Sequence, residues 1–188
     1  GGFIGDYMVV AGGCNFPEPG KKKYYSGIYA AKVGGNSDET PDWQLIGHLP
    51  EPAAYGGTVT SGDSLILVGG CNNEQKLRSV LSLHLDKESG KPVLRSLPSL
   101  PCSVDNMGVC LSDTRLFVVG GNQDGRPSAA VLSLEIGKDA AWQHETELMG
   151  EPRVQPVCAA YRGELYVWGG FYENGKSSLV ATSGLCYH

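Results

Sequence analysis

One phrase recurs along the chain, a run of β-forming residues closed by two glycines. Its copies are Tyr7-Met8-Val9-Val10-Ala11-Gly12-Gly13, Ser64-Leu65-Ile66-Leu67-Val68-Gly69-Gly70, Arg115-Leu116-Phe117-Val118-Val119-Gly120-Gly121 and Glu164-Leu165-Tyr166-Val167-Trp168-Gly169-Gly170. The first glycines stand at 12, 69, 120 and 169, at intervals of 57, 51 and 49 residues. An apolar run of this length fits a strand covered on both faces. Glycine reaches left-handed φ and carries no Cβ, so the pair lets backbone turn where neighbouring units converge. Such a chain is expected to place similar small sheets side by side.

The stretches between the phrases divide into four strands per repeat, a to d from the centre outward. In the first repeat a stub of strand a at Gly1 to Ile4 turns into strand b; a polar loop is expected from Cys14 to Tyr25, strand c from Gly27 to Val33 and strand d around Trp43 to Ile46. The second repeat has a at Ala54 to Thr60, c at Arg78 to Asp86 and d at Val93 to Leu97. The third has a at Asn106 to Leu111, c at Ala130 to Ile136 and d around Trp142. The fourth has a at Val157 to Tyr161 and a strand c expected to begin near Leu179. Short strands at a period near 50 predict an all-β, kelch-repeat β-propeller, with blades at 1–50, 51–101, 102–152 and 153–188. Both ends cut through a repeat, and an open arc exposes apolar blade faces, so the expectation is an incomplete arc of about four blades.

Composition narrows the function. A formal charge of −5, with Lys21-Lys22-Lys23 as the densest cationic run, offers no footprint for nucleic acid. The six cysteines form no CxxC pair and mostly lie in or beside apolar strands, as small core residues do. No apolar run approaches the ~20 residues of a membrane span. No signal peptide is visible, which carries no weight in a chain opening Gly1-Gly2-Phe3.

In a four-stranded blade the a–b turns share one face of the disc, and the b–c and d–a loops share the other. The a–b turns at Gly62-Asp63, Ser112-Asp113 and Arg162-Gly163 suit short hairpins and nothing more. The b–c loops bring Asn15, Phe16, Asn72, Asn73, Glu74, Asn122, Gln123, Asp124, Arg126, Phe171, Tyr172, Glu173 and Asn174 to the other face, and the d–a loops add Tyr55, Asp105, Asn106 and Arg153. Amides and aromatics with a few charges suit a sugar, and arginine suits its carboxylate if it has one. Asparagine after Gly-Gly is equally a turn residue. Arg153 is the leading single candidate, expected either to point its fork toward the axis or to pack on a neighbouring blade. The expected substrate-binding set is Arg153, Asn15, Phe16, Tyr55, Glu74, Asn122 and Tyr172. No catalytic triad, phosphate loop, metal cluster or cofactor motif stands out, and His48, His84 and His144 fall on outer strands.

The segments Val10-Ala11-Gly12-Gly13-Cys14-Asn15-Phe16-Pro17 and Gly20-Lys21-Lys22-Lys23-Tyr24-Tyr25-Ser26-Gly27-Ile28-Tyr29, then Ala54-Tyr55-Gly56-Gly57, resemble the blades of the N-acetylneuraminate epimerases, the sialic acid mutarotases of the kelch superfamily. Blade order resembles the cyclically permuted branch. The resemblance implies a six-bladed ring, a small sugar acid as partner, a periplasmic location, and interconversion of the α and β anomers of N-acetylneuraminate. It also implies a catalytic glutamate and arginine in a blade beyond His188, so that these residues contribute pocket wall and the isolated chain is inactive. The alternative is a non-catalytic module binding glycan or protein through the same face. Cys71 stands where the related loop has glutamate, a role Glu74 could take only if the loop folds back.

Overall fold

The computed structural model describes residues 1–33, 40–173, 178–181 and 183–187, and its elements there are strands alone. Four principal sheets follow one another along the chain. The first is Gly2–Ile4, Tyr7–Ala11, Gly27–Lys32 and Gln44–His48, and the second is Gly57–Ser61, Ser64–Val68, Val80–Leu85 and Pro92–Ser96. The third is Gly108–Ser112, Arg115–Val119, Ala130–Glu135 and Gln143–Glu147; the fourth has Val157–Tyr161, Glu164–Trp168 and Gly184–Tyr187. Every pairing is antiparallel, and strand order within each sheet follows chain order, so local hairpins build each one.

The sheets stack face to face with their first strands adjacent: Gly57–Ser61 beside Gly108–Ser112, and Gly108–Ser112 beside Val157–Tyr161. Three apolar layers fill the seams. Alternation along the Gly-Gly strand feeds two seams at once, which is why that strand is apolar beyond its first residue. Leu65 packs into the first seam and Ile66 into the second; Leu116 and Val118 enter the second, Phe117 and Val119 the third. Each fully buried leucine contributes about 2 kcal/mol. In Val80–Leu85, Leu81, Leu83 and Leu85 turn toward the first seam and Val80 toward the second.

The diglycine acts at these seams. Gly69 and Gly120 have φ of 54° and 61°. A Cβ there would lie 2.4 Å from the Val104 carbonyl oxygen and 2.3 Å from that of Arg153. The next glycine donates its N–H to that same carbonyl, Gly70 to Val104 and Gly121 to Arg153 at 2.8 Å each, as Gly13 does to Ala53 at 2.7 Å. The motif is thus a stitch from one sheet to the loop that feeds the next.

Two expected elements differ. Cys14 to Tyr25 is a β-hairpin, Cys14–Glu18 paired with Lys21–Tyr24 around Pro19-Gly20. Pro17 cannot donate to a ladder, and the register shifts between Asn15 and Glu18 to accommodate it. In the fourth repeat, Ser178–Val180 returns against Phe171–Glu173, so Leu179 belongs to a hairpin and strand c is Gly184–Tyr187. Leu179 and Val180 have strand propensity but not the register that reaches Glu164–Trp168. The cysteines also divide: Cys110 and Cys158 sit in the third seam, Cys14 and Cys71 are half-buried on the hairpin side, and Cys186 is exposed.

Candidate functional site: a ring on the loop face

The loops entering the second, third and fourth sheets carry Tyr55, Asn106 and Gln155, spaced by 51 and 49 residues like the glycines. All three have left-handed backbone, with φ of 60°, 54° and 56°. The Asn106 N–H donates to the Tyr55 carbonyl at 2.8 Å, and the Gln155 N–H to the Asn106 carbonyl at 2.7 Å. Gln155 Nε2 also donates to Asn106 Oδ1 at 2.9 Å. Side chains other than glycine rarely adopt this backbone, at a cost of about 1–2 kcal/mol each. Three in a hydrogen-bonded row hold polar side chains of different chemistry at one structural position.

Behind the row lies Asp105, 2% exposed. Its carboxylate accepts from Lys76 Nζ at 2.6 Å, Asn106 Nδ2 at 2.7 Å and Asn122 Nδ2 at 2.8 Å. Desolvation pushes its pKa upward, but the donors at Asn122, Lys76 and Asn106 outweigh it and hold the group below the usual carboxylate range. The buried charge is therefore satisfied, and it fixes Asn106 and Asn122 from beneath.

At the other end of the row, Lys22 of the first hairpin donates to Tyr55 Oη at 2.8 Å. Its ammonium lies 4.7 Å from the Tyr55 ring centroid, 5.4 Å from Phe16 and 5.7 Å from Tyr24. Cys14 Sγ donates to the same Tyr55 oxygen at 3.4 Å. The hydrogen bond that Lys22 donates to Tyr55 is the main reason the Lys22 pKa is raised, so this side chain stays cationic.

The expected site residues separate by place. Phe16 and Tyr55 meet through Lys22 at the exposed rim, and Asn122 joins the row through Asp105. Asn15 accepts from Tyr25 Oη at 2.8 Å on the outer hairpin. Arg153 is buried, 5% exposed, and its guanidinium donates to the carbonyls of Gly169 and Ser183 and to Ser183 Oγ at 2.9–3.1 Å, giving it protein partners where the sequence suggested a ligand. The loop at Asn72 folds through an Asx turn, Oδ1 accepting from the N–H groups of Glu74 and Gln75 at 2.9 Å, and leaves Glu74 exposed. Tyr172 is half-buried in the fourth hairpin, and Asn174 lies outside the described residues. Sequence reasoning missed Gln155, Lys22 and Lys76. The repeat interval marks Gln155; nothing local marks the lysines.

Two cavities bear on the choice of face. One of about 150 Å³ beside Tyr55, Gly56 and Gly69 is half the smallest usual ligand pocket of about 300 Å³, so these residues form part of a wall. A larger one of about 620 Å³ opens on the a–b turn side between the third and fourth sheets. There Arg115 donates to Glu145 and Ser133, and Thr114 donates to Glu135 at 2.5 Å.

No protein-family model matches the chain. An N-acetylneuraminate epimerase of Salmonella arizonae is 36% identical over 90 residues, 43% of this chain and 23% of that protein. The N-acetylneuraminate epimerase of Pasteurella multocida is 30% identical over 86 residues, 37% of this chain and 21% of its own length. The chain thus matches less than a quarter of either relative. The solved structure of YjhT aligns with a TM-score of 0.80 at 14% identity, over 99% of this chain and 66% of that one. In sequence the chain is a partial homologue of the N-acetylneuraminate epimerases, and in fold it is an all-β propeller arrangement like that of YjhT.

Proposed function

We propose that the chain forms blades 1–50, 51–101, 102–152 and 153–188 of a kelch propeller that interconverts the α and β anomers of N-acetylneuraminate. The observation that carries this is the row Tyr55, Asn106 and Gln155, polar side chains on strained, hydrogen-bonded backbone, in a chain similar to named epimerases. Phenol and amide groups there suit sugar hydroxyls, which both donate and accept. Phe16 offers an apolar face, and Asn122 braces the row through Asp105.

The reaction needs a base to take the anomeric hydroxyl proton as the ring C–O bond breaks, and an acid to protonate the departing ring oxygen. Closure on the other face of the carbonyl carbon reverses both transfers. On the loop face Asp105 is saturated, Glu51 accepts from Asn72 and Gln75, and Asp124 accepts from Ser103. Among the described side chains that leaves two exposed loop-face carboxylates with no hydrogen bond, Glu74 in the second b–c loop and Glu151 in the d–a loop before the fourth sheet. The row therefore binds and orients the sugar, and proton transfer falls to Glu74, to Glu151 or to groups outside these residues.

Anomer exchange of N-acetylneuraminate, followed by NMR with full-length protein, tests this reading. Exchange above the buffer rate is expected, and an unchanged rate with folded protein overturns it. The saturation of Asp105, Glu51 and Asp124 favours one second reading, a non-catalytic sugar-binding module, in which the sugar binds and its exchange rate stays at the buffer value.

A further inference from the structure

The three consecutive lysines of the first hairpin have three different fates. Lys21 pairs with Glu18 at 2.5 Å, and Lys23 lies 5.2 Å from the Tyr25 ring centroid at the outer side. Lys22 is half-buried against Phe16, Tyr24 and Tyr55 and, among the described residues, has no carboxylate partner. Lys76, in the b–c loop of the second sheet, is already neutralised by Asp105. Lys22 is thus a cation ordered by aromatic rings and a phenol, with its anion position unfilled by the protein. An ammonium has three N–H donors, and the bond to Tyr55 uses one.

Tyr55 completes the arrangement. Its oxygen accepts from both Lys22 and Cys14, which occupies its two lone pairs and leaves its own O–H to donate. An ammonium and a hydroxyl 2.8 Å apart, both with donors to spare, form a two-point receptor for the two oxygens of one carboxylate. The left-handed backbone of Tyr55 holds the phenol at the rim, so little ordering remains to be done on binding.

We propose that Lys22 and Tyr55 form the carboxylate subsite of the loop face, Lys22 Nζ supplying the charge and Tyr55 Oη the second donor, with Phe16 as the apolar wall beside them. The ligand class is a small sugar acid, so the inference rests on the functional reading above and locates its anionic group. It also gives Arg153 no part in holding the carboxylate.

The test uses full-length protein and two probes, N-acetylneuraminate and its neutral methyl ester, with affinities from titration calorimetry. The ester is expected to bind about tenfold more weakly or worse, the loss of one charge-assisted hydrogen bond. Lys22→Met should weaken the acid by a similar factor and leave the ester unchanged, Lys22→Arg should restore most of the acid affinity, and Tyr55→Phe should cost the acid a few-fold. Equal binding of acid and ester by the unmodified protein, or an unaltered acid affinity in folded Lys22→Met, overturns the subsite while the functional reading stands. If neither probe binds and no anomer exchange is seen, both fall together.

Discussion

The seams between sheets and the row on the loop face are built by the same repeat and use it in opposite ways. At the seams both backbone and chemistry recur. Gly13, Gly70 and Gly121 each donate to the carbonyl of the following loop at 2.7–2.8 Å, and the neighbouring strand positions remain aliphatic. On the loop face the backbone recurs and the chemistry does not: Tyr55, Asn106 and Gln155 share left-handed φ and a ladder of hydrogen bonds, but present a phenol and two amides of different length. Repetition fixes where side chains stand, and departures from it determine what they can bind.

The sharpest way to break the comparison is to substitute glycines that differ only in their surroundings. Gly120→Ala places a Cβ against the Arg153 carbonyl oxygen on left-handed backbone and should cost about 3 kcal/mol or more in chemical denaturation. Gly62→Ala, at φ of 56° in an open a–b turn with nothing within 4 Å, should cost only about 1–2 kcal/mol. Equal losses would remove the distinction between stitch and turn.

Next in size is Asp105→Ala, which leaves Lys76, Asn106 and Asn122 without their shared acceptor. Lys76 is partly exposed and can regain water, so the loss should be about 2–3 kcal/mol in the same measurement. The pH dependence has a definite sign. Because the Asp105 pKa is depressed in the folded state, its contribution is present above the unfolded carboxylate pKa of about 3.9 and is lost as pH falls through the folded value. Thermal melts from pH 6 downward should show this acid-side loss, and Asp105→Asn should flatten it.

Smallest in stability is Glu74→Gln, expected to stay within about 0.5 kcal/mol because the side chain is exposed and unbonded. A slowed anomer exchange in that variant would give Glu74 a part in proton transfer, whereas an unchanged rate would leave the base to Glu151 or to residues beyond those described.

The sequence was legible where it was periodic. The Gly-Gly phrase located the central strands within a residue or so, since a strand feeding two seams is apolar on both faces beyond its first residue. It was least legible in the b–c loops. Pro17 and the lysines look like chain breakers, but a register shift lets proline sit in a short hairpin, and Leu179 could not reveal whether it pairs with Tyr172 or with the main sheet. Gln155 is marked by the 49-residue interval, whereas the charge of Arg153, two positions earlier, marks a guanidinium that bonds to Gly169 and Ser183 of the fourth repeat. Lys22 was unreadable because its environment comes from Tyr55, 33 residues away.

On the proposed function, the recurring backbone of the loop face carries the activity while the turn face is structural. Anomer exchange of N-acetylneuraminate, measured by NMR on full-length protein, tests it with two folded variants side by side: Asn106→Ala in the row, and Asp113→Asn in an a–b turn, where φ is 51° and asparagine is tolerated. Exchange should be slowed about tenfold or more by the first and unchanged by the second. Exchange indifferent to Asn106, or lost with Asp113, would contradict it.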